Sequence, residues 1–318
     1  MSPQLNLFAV GTRSGTVRLV RSSGDEVDSL RVERTAPPPA EVSASVRAPV
    51  TALSWRPECN DGATSNMLLA CDSQGSLSLV HATTGTVVRS ASEGDNQILA
   101  AQYLRDGRRF LTAGTDETVR VYDDASGRLE QELKYVGEGT VGHASRITCL
   151  HELESGVVVS GSWDSSLHFW DVRANGRPVS SIHGCFIGGG DAIDSYGTII
   201  ATATMSSRRC LQLWDVRSPG QLLTTYPTSS TGVTLYATRF MDNQRLVCAG
   251  SGTGQEAERG QGAGSLQVVD LASGRNLTEY SCAHKSPIFS LSVRAHADTQ
   301  TQYVGVVSSR SAEYLSVI

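Results

Sequence analysis

Aromatic side chains make up only 6% of this sequence, and its apolar runs stop at about five residues. A membrane-spanning helix needs ~20 consecutive apolar residues, so no segment is long enough to cross as one. The opening residues MSPQLNLFAV carry neither a charged start nor a long apolar stretch, and no secretory signal is read there. Cysteine occurs seven times, an odd number, and never as a CxxC pair. That usage speaks for reduced thiols in the cytoplasm or nucleus, and against a disulfide framework or a zinc site. Basic charge is in deficit as well: the formal net charge is −5. Binding to a phosphate backbone calls for a basic surface or stripe. Arg105/Arg108/Arg109 and Arg208/Arg209 cluster, but at expected turns, where solvated charge is the simpler role. Nucleic acid and membrane are therefore not expected partners. HExxH, G-x-S-x-G and a phosphate-loop lysine are all missing, so no catalytic, cofactor or metal site is read.

Glycine, by contrast, is plentiful, with 31 residues. Its distribution follows a repeat. Residues 8–24, 69–85, 111–127 and 158–173 each read as an apolar strand, a small-residue step, a polar turn and an alternating strand. Weaker copies follow at 200–217, 246–271 and 303–317. The residues ending the second strand of each copy are Val20, Val80, Tyr122, Trp170, Trp214, Val269 and Val317. The steps between them are 60, 42, 48, 44, 55 and 48 residues. The longer steps carry visible inserts at 34–49, which holds Pro37-Pro38-Pro39, and at 250–264, which is rich in glycine. The stretches 34–49 and 252–264 lack apolar periodicity and are expected to be the most mobile parts of the chain. The first is also a candidate short partner motif.

Phe169-Trp170-Asp171-Val172-Arg173, Leu213-Trp214-Asp215-Val216-Arg217 and Gly142-His143 resemble the signatures of the WD40-repeat family. The resemblance runs over essentially the whole chain, most strongly from 97 to 226. It implies an all-β fold, a seven-bladed WD40 β-propeller, as one domain over 1–318 with a flexible insert at 34–49. The physics agrees, because a lone four-stranded blade cannot bury both of its faces and stacking between neighbours does. The first copy lacks a clear inner strand, and the last stops at its third strand.

In this family a strong blade carries a hydrogen-bonded set of four side chains. The resemblance assigns them here to His143, Ser160, Asp164 and Trp170, as a structural rather than a catalytic set. Residues 97–133 keep Thr112, Asp116 and Tyr122 but lack the histidine. Residues 158–173 also resemble the DWD box of cullin-4 ubiquitin-ligase substrate receptors. Most of that box is ordinary WD40 strand chemistry, so Arg173 and Arg217 carry the added information. Each follows a Trp-Asp pair and is expected in a turn after a third strand. Candidate partner-binding residues are accordingly Trp163, Asp171, Arg173, Asp215 and Arg217. Asp191 and Asp194, in the stretch GCFIGGGDAIDSY, join them: they read first as turn residues capping free amides, and alternatively as ligands for a cation or an arginine.

Three function classes follow. The first is a non-enzymatic scaffold or adaptor, a monomeric propeller within a larger protein complex. The second is a cullin-4 ligase substrate receptor, whose partner would be the ligase adaptor. The third is a propeller enzyme, disfavoured because inner strands such as 50–55 and 147–151 carry few acids or histidines.

Overall fold

The computed structural model describes residues 7–21, 26–31, 48–58, 66–134, 142–174, 178–206, 210–218, 220–226, 233–252, 264–281, 286–295, 302–308 and 312–317. Of the stretches 34–49 and 252–264 expected to be most mobile, residues 34–47 and 253–263 lie outside the described residues. Among the described residues there is no helix, and hence none long and apolar enough to cross a membrane. The described residues are all-β and form seven antiparallel sheets of propeller-blade size.

The chain divides into two compact units, residues 1–152 with 172–177, and residues 153–171 with 178–318. In the first unit, β1 (Leu7–Gly11), β2 (Thr16–Arg21) and β3 (Glu26–Arg31) form a three-stranded sheet. β4 (Val50–Trp55), β5 (Met67–Asp72), β6 (Ser76–His81) and β7 (Thr86–Ser92) form the second, and β8 (Ile98–Tyr103), β9 (Arg109–Gly114), β10 (Val119–Asp123) and β11 (Leu129–Leu133) the third. The fourth is β12 (Ile147–Glu152), β13 (Val157–Ser162), β14 (Ser166–Asp171) and β15 (Pro178–His183), in which the chain passes from the first unit to the second. The second unit continues with β16 (Ile193–Tyr196), β17 (Ile199–Ala203), β18 (Leu211–Asp215) and β19 (Leu222–Tyr226). It then forms β20 (Val233–Phe240), β21 (Arg245–Gly252), β22 (Gly264–Asp270) and β23 (Asn276–Ser281), and last the three-stranded β24 (Ile288–Ala295), β25 (Gln302–Ser308) and β26 (Ala312–Val317).

The seven sequence copies are the second and third strands of these seven sheets. In six of them the residue marked by the repeat, Val20, Val80, Tyr122, Trp170, Trp214 or Val269, is where the register shifts onto the outer strand. One residue is gained there, which strengthens the local twist. Strand alternation explains the packing. In β5, Leu68 and Ala70 face the first sheet, among Leu7, Val17 and Leu19. Met67, Leu69 and Cys71 face the third sheet, among Ile98, Tyr103, Phe110 and Tyr122. Successive side chains point to opposite faces, so a strand between two sheets must be apolar on both, as MLLACD nearly is. In the second unit, Val247, Ala249, Leu266 and Val268 pack in the same way on Ile288, Leu291, Val304 and Val306.

The turn between second and third strands needs one residue in the left-handed region. Glycine supplies it at Gly15 and Gly75, whereas Glu117 and Ser165 adopt it at φ 63° and 65°. An acid locks the turn: Asp72 Oδ1 accepts from the amides of Gln74 and Ser76 at 2.8 and 2.9 Å.

Candidate functional site

Three sheets build a polar set around the aromatic residue that ends the third strand. In the fourth sheet, Trp170 Nε1 donates to Ser160 Oγ at 2.8 Å. Asp164 Oδ1 accepts from the Ser166 amide at 2.8 Å and from its hydroxyl at 2.5 Å. His168 lies 3.3 Å from the same hydroxyl and packs edge-on to Trp170. His143 is buried just ahead of β12. Removing the Asp164 carboxylate leaves the Ser166 amide short of its acceptor, and Ser166 is itself buried. Asp164→Ala is expected to cost about 1–3 kcal/mol in urea unfolding. In the fifth sheet Trp214 Nε1 donates to Thr202 Oγ1 at 3.1 Å.

The third sheet has no histidine, and a residue missed by the sequence reading stands in for it. Glu93, just after β7, is all but inaccessible, with its side chain 1% exposed. Its Oε1 accepts from the hydroxyls of Thr112 and of Tyr122, the latter at 3.0 Å. Its Oε2 accepts from Asn96 Nδ2 at 2.6 Å and pairs with Arg120 at 3.3 Å. Arg120 also binds Asp116 at 2.5 Å. Burial, and then the Glu93 charge, push the Tyr122 phenol well above its ordinary value. The signal in the sequence is a pair of changes: an acid ahead of the sheet, and Arg120 two residues before Tyr122, where the fourth sheet has His168 two before Trp170.

Asp191 and Asp194 meet elements distant in sequence. Asp191 forms an ion pair with Arg239 and accepts from the Ser290 hydroxyl, and from the Leu291 amide at 3.2 Å. Asp194 Oδ2 accepts from the Phe240 amide at 2.7 Å. The Arg239 guanidinium also donates to the carbonyls of Asp191 and Ile193, both at 3.2 Å. The two acids thus bind β20 and β24 rather than only capping a local turn. Burial raises the Asp194 carboxyl above its ordinary range, and Arg239 opposes the rise.

Asp171 ends β14 opposite Val157, and Arg173 is exposed in the turn that follows. Arg217 occupies the equivalent turn after β18. Its guanidinium, 72% exposed, reaches Asp215 through Nε at 3.0 Å and Nη2 at 2.7 Å. That hydrogen bond lowers the Asp215 carboxyl below its ordinary range.

Trp163, in the turn between β13 and β14, is 51% exposed. Backbone and side-chain contacts link its turn to further exposed apolar residues of the second unit. The amides of Gly184 and Cys185 bond to Ser165 O in that same turn, at 2.8 and 3.0 Å. Phe186 follows, exposed, and its carbonyl accepts from the Met205 amide at 2.9 Å. Met205, also exposed, lies across Gly188, where a Cβ would meet its sulfur at 2.1 Å. Gly189 abuts the Tyr236 carbonyl, and the Tyr236 ring sits 5.3 Å from that of exposed Phe289. Side chains at Gly188 or Gly189 would collide with Met205 and with the Tyr236 backbone, which accounts for glycine at both positions.

Comparisons with known proteins agree with this architecture. Residues 1–105 match the family model "Anaphase-promoting complex subunit 4 WD40 domain", and residues 135–171 match "WD domain, G-beta repeat". The mRNA export factor GLE2 of Chaetomium thermophilum is 27% identical over 128 residues, 39% of this chain and 34% of that protein. The Poly(A)+ RNA export protein of Schizosaccharomyces pombe is 23% identical over 146 residues, 45% of this chain and 38% of that protein. The mouse WD repeat-containing protein 37 is 26% identical over 165 residues, covering 50% and 31%. The matches thus span about a third of the length of these relatives.

Proposed function

We propose that this chain, which belongs to the WD40-repeat β-propeller family, is a non-enzymatic scaffold that holds partner proteins in a larger complex. The carrying observation is the set of exposed apolar residues Trp163, Phe186, Met205 and Phe289, linked through backbone contacts and through the half-buried Tyr236. Single exposed apolar residues are ordinary on a protein surface, but contiguous ones mark interaction sites. Tyr236 and Phe289 lie in strands and Trp163 in a tight strand-to-strand turn, so little ordering entropy is lost on binding. Trp and Phe on such a surface are the types that concentrate binding energy. Two relatives are named as RNA export proteins, which supports a nuclear or cytoplasmic setting, and the net charge of −5 supports protein partners rather than nucleic acid. The test is capture of native partners by the wild-type chain and by the double variant Trp163→Ala/Phe186→Ala. The variant should keep its thermal unfolding midpoint and lose most of the captured protein. Equal capture by both would overturn the assignment of these residues.

A second reading, a cullin-4 ligase substrate receptor, draws on the two turn arginines. The Arg217 guanidinium has five donors, spends only part of them on Asp215, and stands largely in solvent. Arg173 is exposed in the equivalent turn of its sheet. The double variant Arg173→Ala/Arg217→Ala should fold as the wild type does and no longer retain the ligase adaptor. If the wild-type chain never retains that adaptor, this reading fails and the general scaffold stands.

A further inference from the structure

Five of the seven sheets have four strands, and β1–β3 has three. Packing shows which strand is missing. Second strands of the four-stranded sheets lie against the inner strand of the next sheet: β5 against β8, β9 against β12, β17 against β20, and β21 against β24. β1 lies against β4 in the same way. Gly11, ending β1, meets the Val50 side chain that opens β4, just as Gly161 near the end of β13 meets Ile193 of β16. β1 therefore holds the second position, and among the described residues the inner position of its sheet is vacant.

The hydrogen-bond pattern gives the same answer atom by atom. The Thr12 amide donates to Thr16 O at 2.9 Å, and β1 and β2 keep one register from Leu7↔Arg21 to Gly11↔Val17. Bonded pairs alternate in an antiparallel ladder, so Val10 and Phe8 also point their amides and carbonyls at β2. Leu7, Ala9 and Gly11 point theirs the other way, to the inner edge. Among the described residues nothing hydrogen-bonds to those three on that side. Backbone groups at such an edge are a template for another strand.

We propose that an extended segment of a partner protein completes the first sheet, pairing antiparallel with β1 through Leu7, Ala9 and Gly11. This is strand addition, in which main-chain bonds supply affinity and alternate side chains supply specificity. The inner strands of the next three sheets in the chain set the chemistry of the guest. β4, β8 and β12 open with Val50, Ile98 and Ile147, have Ala52, Ala100 and Cys149 at the third position, and Ser54, Gln102 and His151 at the fifth. The guest is thus a five-residue strand with a β-branched apolar residue first, a small apolar residue third and a polar residue fifth. The proposal rests on the scaffold reading but names a surface separate from the Trp163 residue set.

Amide hydrogen exchange on the full chain tests it, with the peptide Ile-Thr-Ala-Leu-Ser carrying terminal lysines for solubility. In the free chain the Leu7, Ala9 and Gly11 amides should exchange fast while those of Phe8 and Val10 are protected. Saturating peptide should slow the three by about tenfold or more, as expected when open amides enter a ladder. The same peptide with proline at its third residue should not. Ala9→Pro deletes one edge amide and leaves the β1–β2 ladder intact, so it should weaken peptide binding without shifting the unfolding midpoint. Protection of all three amides in the free chain would overturn the proposal, since a segment of the chain itself would then fill the edge. A saturating peptide that slows none of them would overturn it too. The scaffold reading is judged separately, by the Trp163/Phe186 variant.

Discussion

Glu93→Ala should destabilise the chain by about 3–5 kcal/mol, the usual range for removing one partner of a buried charge pair. The carboxylate is enclosed and accepts from Thr112, Tyr122, Asn96 and Arg120. Alanine leaves two hydroxyls, an amide and one nitrogen of the Arg120 guanidinium without that acceptor, while Asp116 and Glu132 still hold the rest of the guanidinium. Glu93→Gln is the informative companion. It keeps an oxygen for the hydroxyls but removes the charge facing Arg120, so its loss should be clearly smaller than that of alanine. Urea unfolding of the three proteins measures the order. If Glu93→Ala lies within error of wild type, the third sheet does not depend on this carboxylate.

Arg239→Ala should cost a similar amount, about 3–5 kcal/mol, because it leaves two carboxylates without their cation. Here pH supplies a second readout. Burial already holds the Asp194 carboxyl above its ordinary value, and Arg239 is the largest influence pulling it down. Without the guanidinium that carboxyl should rise further. An acid whose folded pKa lies above its unfolded one binds more protons in the native state, so stability falls as pH rises through the interval between the two. The deficit of the variant should therefore shrink in mildly acidic buffer and grow toward neutrality. A deficit that does not change with pH would mean that Asp194 is not coupled to Arg239.

The sheets were legible in the sequence because the strongest signal is local. A second and third strand joined by a short turn leave alternation, a small-residue step and an acid within some sixteen residues, as in 158–173. Among the described residues the first and last sheets have three strands, where the sequence copies are also the least complete. What escaped was chemistry carried by partners far apart. Asp191 sits beside glycines and reads as a turn residue, yet its partners Arg239 and Ser290 are 48 and 99 residues away. Glu93 escaped for a different reason. The third sheet fills the histidine's role with a carboxylate and a compensating arginine, so a search for histidine finds a gap where a charge pair stands. The exposed apolar set was half visible: Trp163 was singled out, while Phe186, Met205 and Phe289 join it only through folding.

Holding other proteins is the function proposed for this chain. Its most direct test is the mass of the species it occupies in a native extract, measured by size exclusion with light scattering on the tagged full chain. The chain alone is 33.8 kDa. The wild type should run in an assembly well above that mass, with other polypeptides at fixed stoichiometry, and Trp163→Ala/Phe186→Ala should move most of it to the mass of the single chain while it stays folded. A wild-type chain that runs alone at its own mass in fresh extract would contradict the account.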